Sequence, residues 1–115
     1  MAIINRHCFA LDLKPDEELI AAYEEHHKKV WPSILESIQQ SGIEKLEIYR
    51  IENRLFMIMD VNESFSFEKK KKIDEASMDV REWEELMWKY QQAIPWAKLG
   101  EKWVLMEKIF QFEGR

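Results

Sequence analysis

The spacing of hydrophobic positions predicts strands and helices in a definite order along the chain. Residues Arg6 to Leu13 alternate loosely between apolar and polar, as a strand does. The next segment, Lys14 to Glu18, carries a proline and acidic residues, which favour the first turn of a helix. An apolar stripe that includes Tyr23 and His27 extends this helix to about Lys29.

Pro32 marks the next boundary. Because proline disfavours the helical conformation of the residue before it, the first helix should end or kink at Trp31. Pro32 can itself open a second helix, which Gly42 is well placed to terminate. Two β-favouring runs follow, Ile43 to Ile51 and Arg54 to Val61, and the two polar residues between them predict a hairpin.

The C-terminal half predicts two more helical segments and a last strand. The lysine run Lys69 to Lys72 is expected to be a solvated surface turn, after which a helix continues from Ile73 to Met78. Another helix opens near Asp79 with an apolar stripe and ends at Pro95. The final segment, Lys102 to Phe112, alternates as a strand does, with apolar residues on both sides.

This order is that of the split βαβ, or ferredoxin-like, arrangement: a four-stranded antiparallel sheet with helices on one face. With 115 residues, the chain 1–115 is expected to form a single α+β domain. The helices can cover only one face of the sheet, whereas several strands are apolar on both faces. The second face should therefore line a cavity or be covered by another subunit, and we predict a homodimer.

Composition narrows the range of partners and locations. The formal net charge is −5, and the lysine run lies among acidic residues, which argues against a nucleic-acid partner. Cys8 is the only cysteine, so an intrachain disulfide is impossible and a cytoplasmic location is the simpler expectation. No apolar run approaches the roughly 18 residues that a membrane span needs, so we expect no membrane partner.

His27 is the main candidate for chemistry. Histidine has the unperturbed pKa nearest neutrality, and His27 stands four residues from an aromatic residue on each side, so a helix would bring the three together. From spacing alone it is either a buried structural group or an acid–base group. A metal is not expected, because His26 and His27 diverge by about 100° on a helix and His7 lies on another element.

Tryptophan is unusually frequent, with five in 115 residues. A tryptophan that faces a cavity offers a flat apolar plate for the C–H face of a sugar or for a planar ring, whereas one in the core only packs. Trp83 is the best candidate, because its helix lies near the first helix in a ferredoxin-like fold.

The chain resembles the L-rhamnose mutarotase family from about Arg6 to Phe110. The resemblance is carried by four segments: Tyr23-x-x-x-His27-x-x-Val30-Trp31-Pro32, Ile48-Tyr49, Leu55-Phe56-Met57 and Trp83-x-x-x-Met87. It implies a dimeric α+β barrel that interconverts the α and β anomers of a deoxy-hexose such as L-rhamnose or L-fucose without a cofactor.

The resemblance also implies roles for individual residues. His27 corresponds to the family's proton donor, Tyr23 to a sugar-binding hydroxyl and Trp83 to the first member of a tryptophan pair. Tyr49 corresponds to a residue of the sugar site, where it would form a cavity wall or pack in the core.

Two positions depart from the pattern of the rhamnose enzymes. Glu84 follows Trp83 where a second tryptophan is expected, and Leu46 stands where those enzymes carry a tyrosine. Both departures leave the proton donor in place but disfavour L-rhamnose as the sugar. The alternatives to a mutarotase are a non-catalytic binding or interaction module on the same dimeric barrel and a small oxygenase that uses the cavity.

Overall fold

A computed structural model describes residues 3–114, and its elements follow the predicted order. The first half of the chain forms two strands of a hairpin, a preceding strand and two helices: β1 Asn5–Leu13, α1 Glu17–His26, α2 Pro32–Gln40, β2 Ile43–Ile51 and β3 Arg54–Val61. The prediction for this half is correct except that the first helix ends at His26, three residues earlier than expected.

The second half contains two helices and two very short strands. These are α3 Phe67–Ala76, α4 Met78–Trp88, β4 Gln91–Gln92 and β5 Val104–Leu105. None of the helices formed by residues 3–114 is both long and apolar enough to cross a membrane.

The lysine run is part of helix α3, which begins at Phe67 and so includes the lysines before Ile73. The side chain of Ser66 accepts a hydrogen bond from the backbone N–H of Lys69 at 3.0 Å, which satisfies a donor at the helix start. A helix that begins at Phe67 therefore contains all four lysines. Ser77 caps α4 in the same way, one residue before Met78, instead of the expected start at Asp79.

Helix α4 ends at Trp88 and not at Pro95, as the sequence had suggested. The chain leaves the helix because residues after Tyr90 bond to the sheet: Gln91 and Gln92 pair with Leu13 and Asp12 of β1. Lys14 also donates its backbone N–H to the carbonyl oxygen of Tyr90 at 2.8 Å. Sheet pairing thus takes the backbone groups that a longer helix would have used.

The sheet is antiparallel and has the order β2-β3-β1-β4, with β5 also paired to β1. This is the predicted ferredoxin-like path, with five strands where four were predicted, because the C-terminal part pairs with β1 through two short strands. The last strand is much shorter than the predicted Lys102 to Phe112, since only Val104 and Leu105 pair with β1. Residues 106–114 form a tail without helix or strand, in which Ile109, Phe110 and Phe112 are 89%, 79% and 78% exposed. Within residues 3–114 of one protomer, these side chains are left largely uncovered.

The core lies between one face of the sheet and the helices. Leu11, Leu13 and Leu55 are almost fully buried on this face of the sheet. The helices contribute buried side chains to the same cluster, namely Tyr23, Ile34, Val80, Trp83 and Met87. Because side chains of a strand alternate between faces, every second residue of β1 and β3 faces this layer.

None of the four helices found in residues 3–114 packs on the opposite face of the sheet. Tyr49 and Ile51 of β2 are 54% and 75% exposed there. Two bidentate ion pairs flank this face: Arg6 Nε lies 2.7 Å from Asp60 Oδ1, and Arg54 Nε lies 2.8 Å from Asp12 Oδ1. The guanidinium of Arg6 lowers the pKa of Asp60, although the carboxyl group is buried.

Candidate active site

A cavity of about 480 Å³ lies between the helices and the covered face of the sheet. Its lining includes residues from α1, α2, α3, α4, β2, β3 and the segment before β5. Three of the four sequence-predicted site residues, Tyr23, His27 and Trp83, line it together. Its size is within the range of small-molecule sites.

His27 lies at the end of α1 and not within the helix. Its backbone N–H bonds to the carbonyl oxygen of Glu24 at 3.1 Å, which closes the last turn. Its ring nitrogen Nδ1 lies 2.9 Å from the carbonyl oxygen of Tyr23. A carbonyl oxygen only accepts, so Nδ1 carries the proton and donates it. In the neutral ring, Nε2 then has the free lone pair.

Burial lowers the pKa of His27 below its usual value of 6.5, because a buried imidazolium loses hydration. The hydrogen bond to Tyr23 opposes this effect without cancelling it. At neutral pH the ring is therefore neutral, with Nε2 able to accept a proton.

Tyr23 lies one helical turn before His27, and the two ring centroids are 4.4 Å apart. The side chain is 3% exposed, and its hydroxyl oxygen accepts a hydrogen bond from Nε2 of Gln91 at 3.3 Å. Burial raises the pKa of Tyr23 to about 12, more than the bond from Gln91 lowers it. The hydroxyl therefore keeps its proton across the physiological pH range and can donate it.

Trp83 approaches His27 from helix α4. The ring centroids of Trp83 and His27 are 5.6 Å apart at 67°, and those of Trp83 and Trp31 are 5.1 Å apart at 71°. Both are edge-to-face contacts, which favour a fixed ring orientation. Trp31 precedes α2 and lies outside both helices, as Pro32 predicted, and it is absent from the residues that line the cavity.

Two ion pairs contribute charged side chains to the cavity. Lys70 Nζ lies 2.6 Å from Asp74 Oδ2 on α3, and Lys102 is paired with Glu84. Lys102 also lies over the ring of Trp88, 5.4 Å from its centroid. The lysine run is therefore not wholly a solvated surface, and Glu84, which seemed only a departure from a family pattern, takes part in an ion pair here.

Tyr49 is not brought to the cavity of this protomer. Strand β2 alternates, and its half-buried residues Leu46 and Ile48 line the cavity. Tyr49 follows Ile48 and so projects to the opposite, uncovered face, where it is 54% exposed. A sugar in this cavity would meet Leu46 and Ile48 on that strand, and Tyr49 has no place in it.

Several residues that line the cavity were not predicted from the sequence. Met57 and Met59 of β3 belong to a run apolar at every position, which hides the face they occupy. Trp103 and Lys102 come from the segment before β5, which was predicted to belong to the last strand. The neighbouring Glu101 accepts a hydrogen bond from the backbone N–H of Lys98 at 3.0 Å and does not line the cavity.

Gln91 also lines the cavity, and the sequence contains no signal for it. It is followed by a second glutamine, Gln92, and only the register of β4 on β1 decides which of the two faces inward. Within residues 3–114, no three His, Cys, Asp or Glu side chains lie close enough together to hold a metal ion.

Comparison with known proteins gives concordant results. The sequence profile of the L-rhamnose mutarotase family matches residues 6–112. An L-fucose mutarotase of Xanthomonas campestris is 42% identical over 109 residues, which are 93% of this chain and 87% of that protein.

Solved structures agree on the fold. The crystal structure of an L-rhamnose mutarotase from Formosa agariphila has a TM-score of 0.71 at 20% identity and covers 96% of this chain and 100% of that one. A tetracenomycin F2 cyclase from Streptomyces glaucescens has a TM-score of 0.59 at 16% identity, covering 97% and 100%. At such identities the likeness concerns the fold alone. The profile match over almost the whole chain, with the 42% identical relative, shows that this protein belongs to the L-rhamnose mutarotase family.

Proposed function

We propose that His27 is the acid–base residue with which this mutarotase interconverts the α and β anomers of a deoxy-hexose. The observation that carries the proposal is the state of its ring. Nδ1 is held by the carbonyl oxygen of Tyr23, burial keeps the ring neutral, and the side chain lines the cavity. A base with a free Nε2 beside an enclosed space is what opening a cyclic hemiacetal requires.

The reaction begins when Nε2 of His27 takes the proton of the anomeric hydroxyl. The bond between C1 and the ring oxygen breaks, the ring oxygen receives a proton from a second donor or water, and an open-chain aldehyde results. After rotation about C1–C2, the hydroxyl adds to the other face of the aldehyde. As it adds, this hydroxyl gives its proton back to the second donor or water. His27 at the same time returns the proton that it took to the aldehyde oxygen, which becomes the new anomeric hydroxyl. Atoms and charges balance, and no cofactor is consumed.

Tyr23 and Trp83 are proposed to bind and orient the sugar. Tyr23 keeps its hydroxyl proton, since its pKa is about 12, and can donate it to a sugar oxygen. Trp83 offers an indole that two edge-to-face contacts hold in place. Such preorganisation lowers the entropic cost of placing the anomeric carbon beside His27.

L-Fucose is the first sugar to test. Leu46, Ile48, Met57 and Met59 form an apolar side of the cavity, which suits the methyl group of a 6-deoxy sugar better than a hydroxymethyl group. The 42% identical relative is an L-fucose mutarotase, and Leu46 departs from the pattern of the rhamnose enzymes.

Saturation-transfer NMR of anomer exchange tests the proposal directly. L-Fucose and L-rhamnose are compared with wild-type protein, His27→Gln and the matched control His26→Gln. His26 lies one residue earlier, bonds to the hydroxyl of Tyr90 at 3.1 Å and is absent from the cavity lining. We expect a loss of roughly 10²–10⁴ for His27→Gln and little change for His26→Gln.

Two results would contradict this assignment. Full activity of His27→Gln would remove the histidine from the reaction. Sugar binding without any acceleration by the wild-type protein would favour the non-catalytic binding module. Unfolding measurements accompany the kinetics, because a structural His27 would cost several kcal/mol on replacement, whereas a site residue costs about 1 kcal/mol or less.

A homodimer is part of the proposal. Two exposed surfaces support it. One is the uncovered face of the sheet, with Tyr49 and Ile51, and the other is the apolar tail, which contains Phe110 and Phe112. Exposed apolar surface of this extent, next to a sheet edge, is typical of a surface that another subunit covers. A second copy seated there would form the barrel and bury both.

A cytoplasmic location also remains a proposal. Its support is the single cysteine, Cys8, which is unpaired and half-buried in β1. Fractionation of the source cells, with antibody detection of the protein, would test it, and recovery outside the cytoplasm would contradict it.

A further inference from the structure

Two buried side-chain oxygens within residues 3–114 lack a hydrogen-bond partner, and both belong to residues that line the cavity. They are Asp74 Oδ1 and Gln91 Oε1. Buried polar groups in folded proteins are almost always paired, so an unpaired one in a cavity wall is a candidate contact for a molecule that binds there. Asp74 has its other oxygen on Lys70 and a side chain that is 29% exposed as a whole, so its surroundings are less enclosed than those of Gln91.

Gln91 is the stronger candidate for a ligand contact, because the whole residue is only 3% exposed. Its amide nitrogen is used: Nε2 donates to the hydroxyl oxygen of Tyr23 at 3.3 Å. That bond orients the amide and leaves Oε1 as an acceptor without a donor. The position of the residue is set by β4, where Gln91 pairs with Leu13 of β1.

We propose that Gln91 is a sugar-positioning residue whose Oε1 accepts a hydrogen bond from a ring hydroxyl other than the anomeric one. This inference rests on the proposed function, since it assigns a contact within the same cavity. Gln91 and Tyr23 then act as a couple. Because the Tyr23 hydroxyl accepts from Gln91, its own proton is free for the sugar, and the couple presents one donor and one acceptor side by side.

Gln91 and Tyr23 together would select a sugar by which of its oxygens donate and which accept hydrogen bonds, in addition to its shape. A hydroxyl at the Gln91 position must donate, whereas an oxygen at the Tyr23 position must accept. A site built to bond a hydroxyl rejects an analogue that lacks it, because the buried acceptor then stays unpaired. Gln91 is accordingly expected to discriminate among deoxy sugars by their hydroxyl pattern, which the apolar side of the cavity cannot do.

Gln91→Met is the test variant, because methionine keeps the length of the side chain and removes both polar atoms. Gln92→Met is its matched control: the neighbouring glutamine lies on the same strand and is exposed. Anomer exchange is measured for L-fucose and for analogues that each lack one ring hydroxyl. We expect Gln91→Met to lose roughly 3–10-fold in kcat/KM on L-fucose and Gln92→Met to match the wild type.

The decisive readout is the pattern across the analogues. If Oε1 binds one hydroxyl, the loss in kcat/KM caused by Gln91→Met is clearly smaller on the analogue that lacks this hydroxyl than on the others, which all keep it. An equal loss on every analogue would overturn the proposal, because it would mean that Gln91 acts only by supporting Tyr23 or the fold. No loss on L-fucose would overturn it too.

Effects of the variant on folding are distinguished from its effects on the sugar. Unfolding without sugar shows whether Gln91→Met is folded, and if it is not, Gln91→Asn withdraws the amide by one methylene group and is tested on the same panel. Failure of the wild type to accelerate exchange of any sugar would refute the proposed function itself. An active wild type with an unchanged pattern in the variant would refute only the role of Gln91.

Discussion

The ring of His27 is bonded to the backbone of Tyr23: Nδ1 lies 2.9 Å from the carbonyl oxygen one helical turn earlier. The last carbonyl groups of a helix have no hydrogen-bond partner within the helix. Here one of them, that of Tyr23, accepts a hydrogen bond from the ring N–H of His27. The end of α1 thereby selects the tautomer and leaves Nε2 for the cavity. Where the helix stops is therefore part of the proposed chemistry.

The first prediction is the pH dependence of anomer exchange. Because the neutral ring of His27 is the proposed base and burial lowers its pKa, kcat/KM should be constant near neutrality. It should fall as the pH decreases through a pKa below 6.5. Rates corrected for the uncatalysed reaction across pH 4–8 measure this limb, and an inflection above 6.5 would be inconsistent with a buried neutral histidine.

The second prediction concerns stability. A lowered pKa in the folded protein means that the unfolded chain binds more protons between that pKa and 6.5. The free energy of unfolding should therefore rise with pH through this window and fall as the protein is acidified. His27→Gln removes this contribution, so the difference between wild type and variant should change with pH only there. Urea unfolding at several pH values measures it, and a constant difference would argue against the lowered pKa.

The sequence predicted most of the architecture because its signals are local. Pro32 separated the first two helices, loose alternation of apolar and polar residues located β1, and β-favouring runs located β2 and β3. The errors lie where tertiary contacts decide. Helix α4 stops at Trp88 because β1 pairs with the residues that follow, and no local pattern reveals that pairing.

The candidate site was also predicted only in part. Tyr23 and His27 could be found because His27 follows Tyr23 by four positions, about one helical turn. Gln91 could not, because its role depends on strand register and on a tyrosine 68 residues away. Tyr49 was assigned to the site through resemblance, yet alternation along β2 places it on the opposite face from Ile48.

The third prediction is that Tyr23→Phe reduces both activity and stability. The sugar loses a donor, and Nε2 of Gln91 loses the hydroxyl that it bonds at 3.3 Å. We expect roughly a 10-fold loss in kcat/KM and about 1–2 kcal/mol in the free energy of unfolding. Tyr90→Phe is the control, because it removes a half-buried hydroxyl that bonds to His26 and not to the site. Equal kinetic effects of the two variants would refute a role for Tyr23 in binding.

The fourth prediction separates two tryptophans of helix α4. Trp83 is 7% exposed and lines the cavity, whereas Trp88 is 41% exposed and lies under Lys102. Trp83→Phe keeps an aromatic ring but shortens the plate, so KM for the sugar should rise several-fold with a smaller change in kcat. Trp88→Phe should leave KM unchanged. If both variants behave alike, the indole of Trp83 serves only to pack the core.

The fifth prediction tests the dimer through the apolar tail. Phe110 is 79% exposed in the protomer, so Phe110→Ser should cost little stability within one chain but weaken an interface that buries this ring. Leu99, which is fully exposed in the segment between β4 and β5, provides the control variant Leu99→Ser. Sedimentation velocity over a wide concentration range should show dimers for the wild type and Leu99→Ser, and a shift towards monomer for Phe110→Ser. A wild-type protein that sediments as a monomer at every concentration would refute the dimer, and the uncovered face of the sheet would then need another explanation.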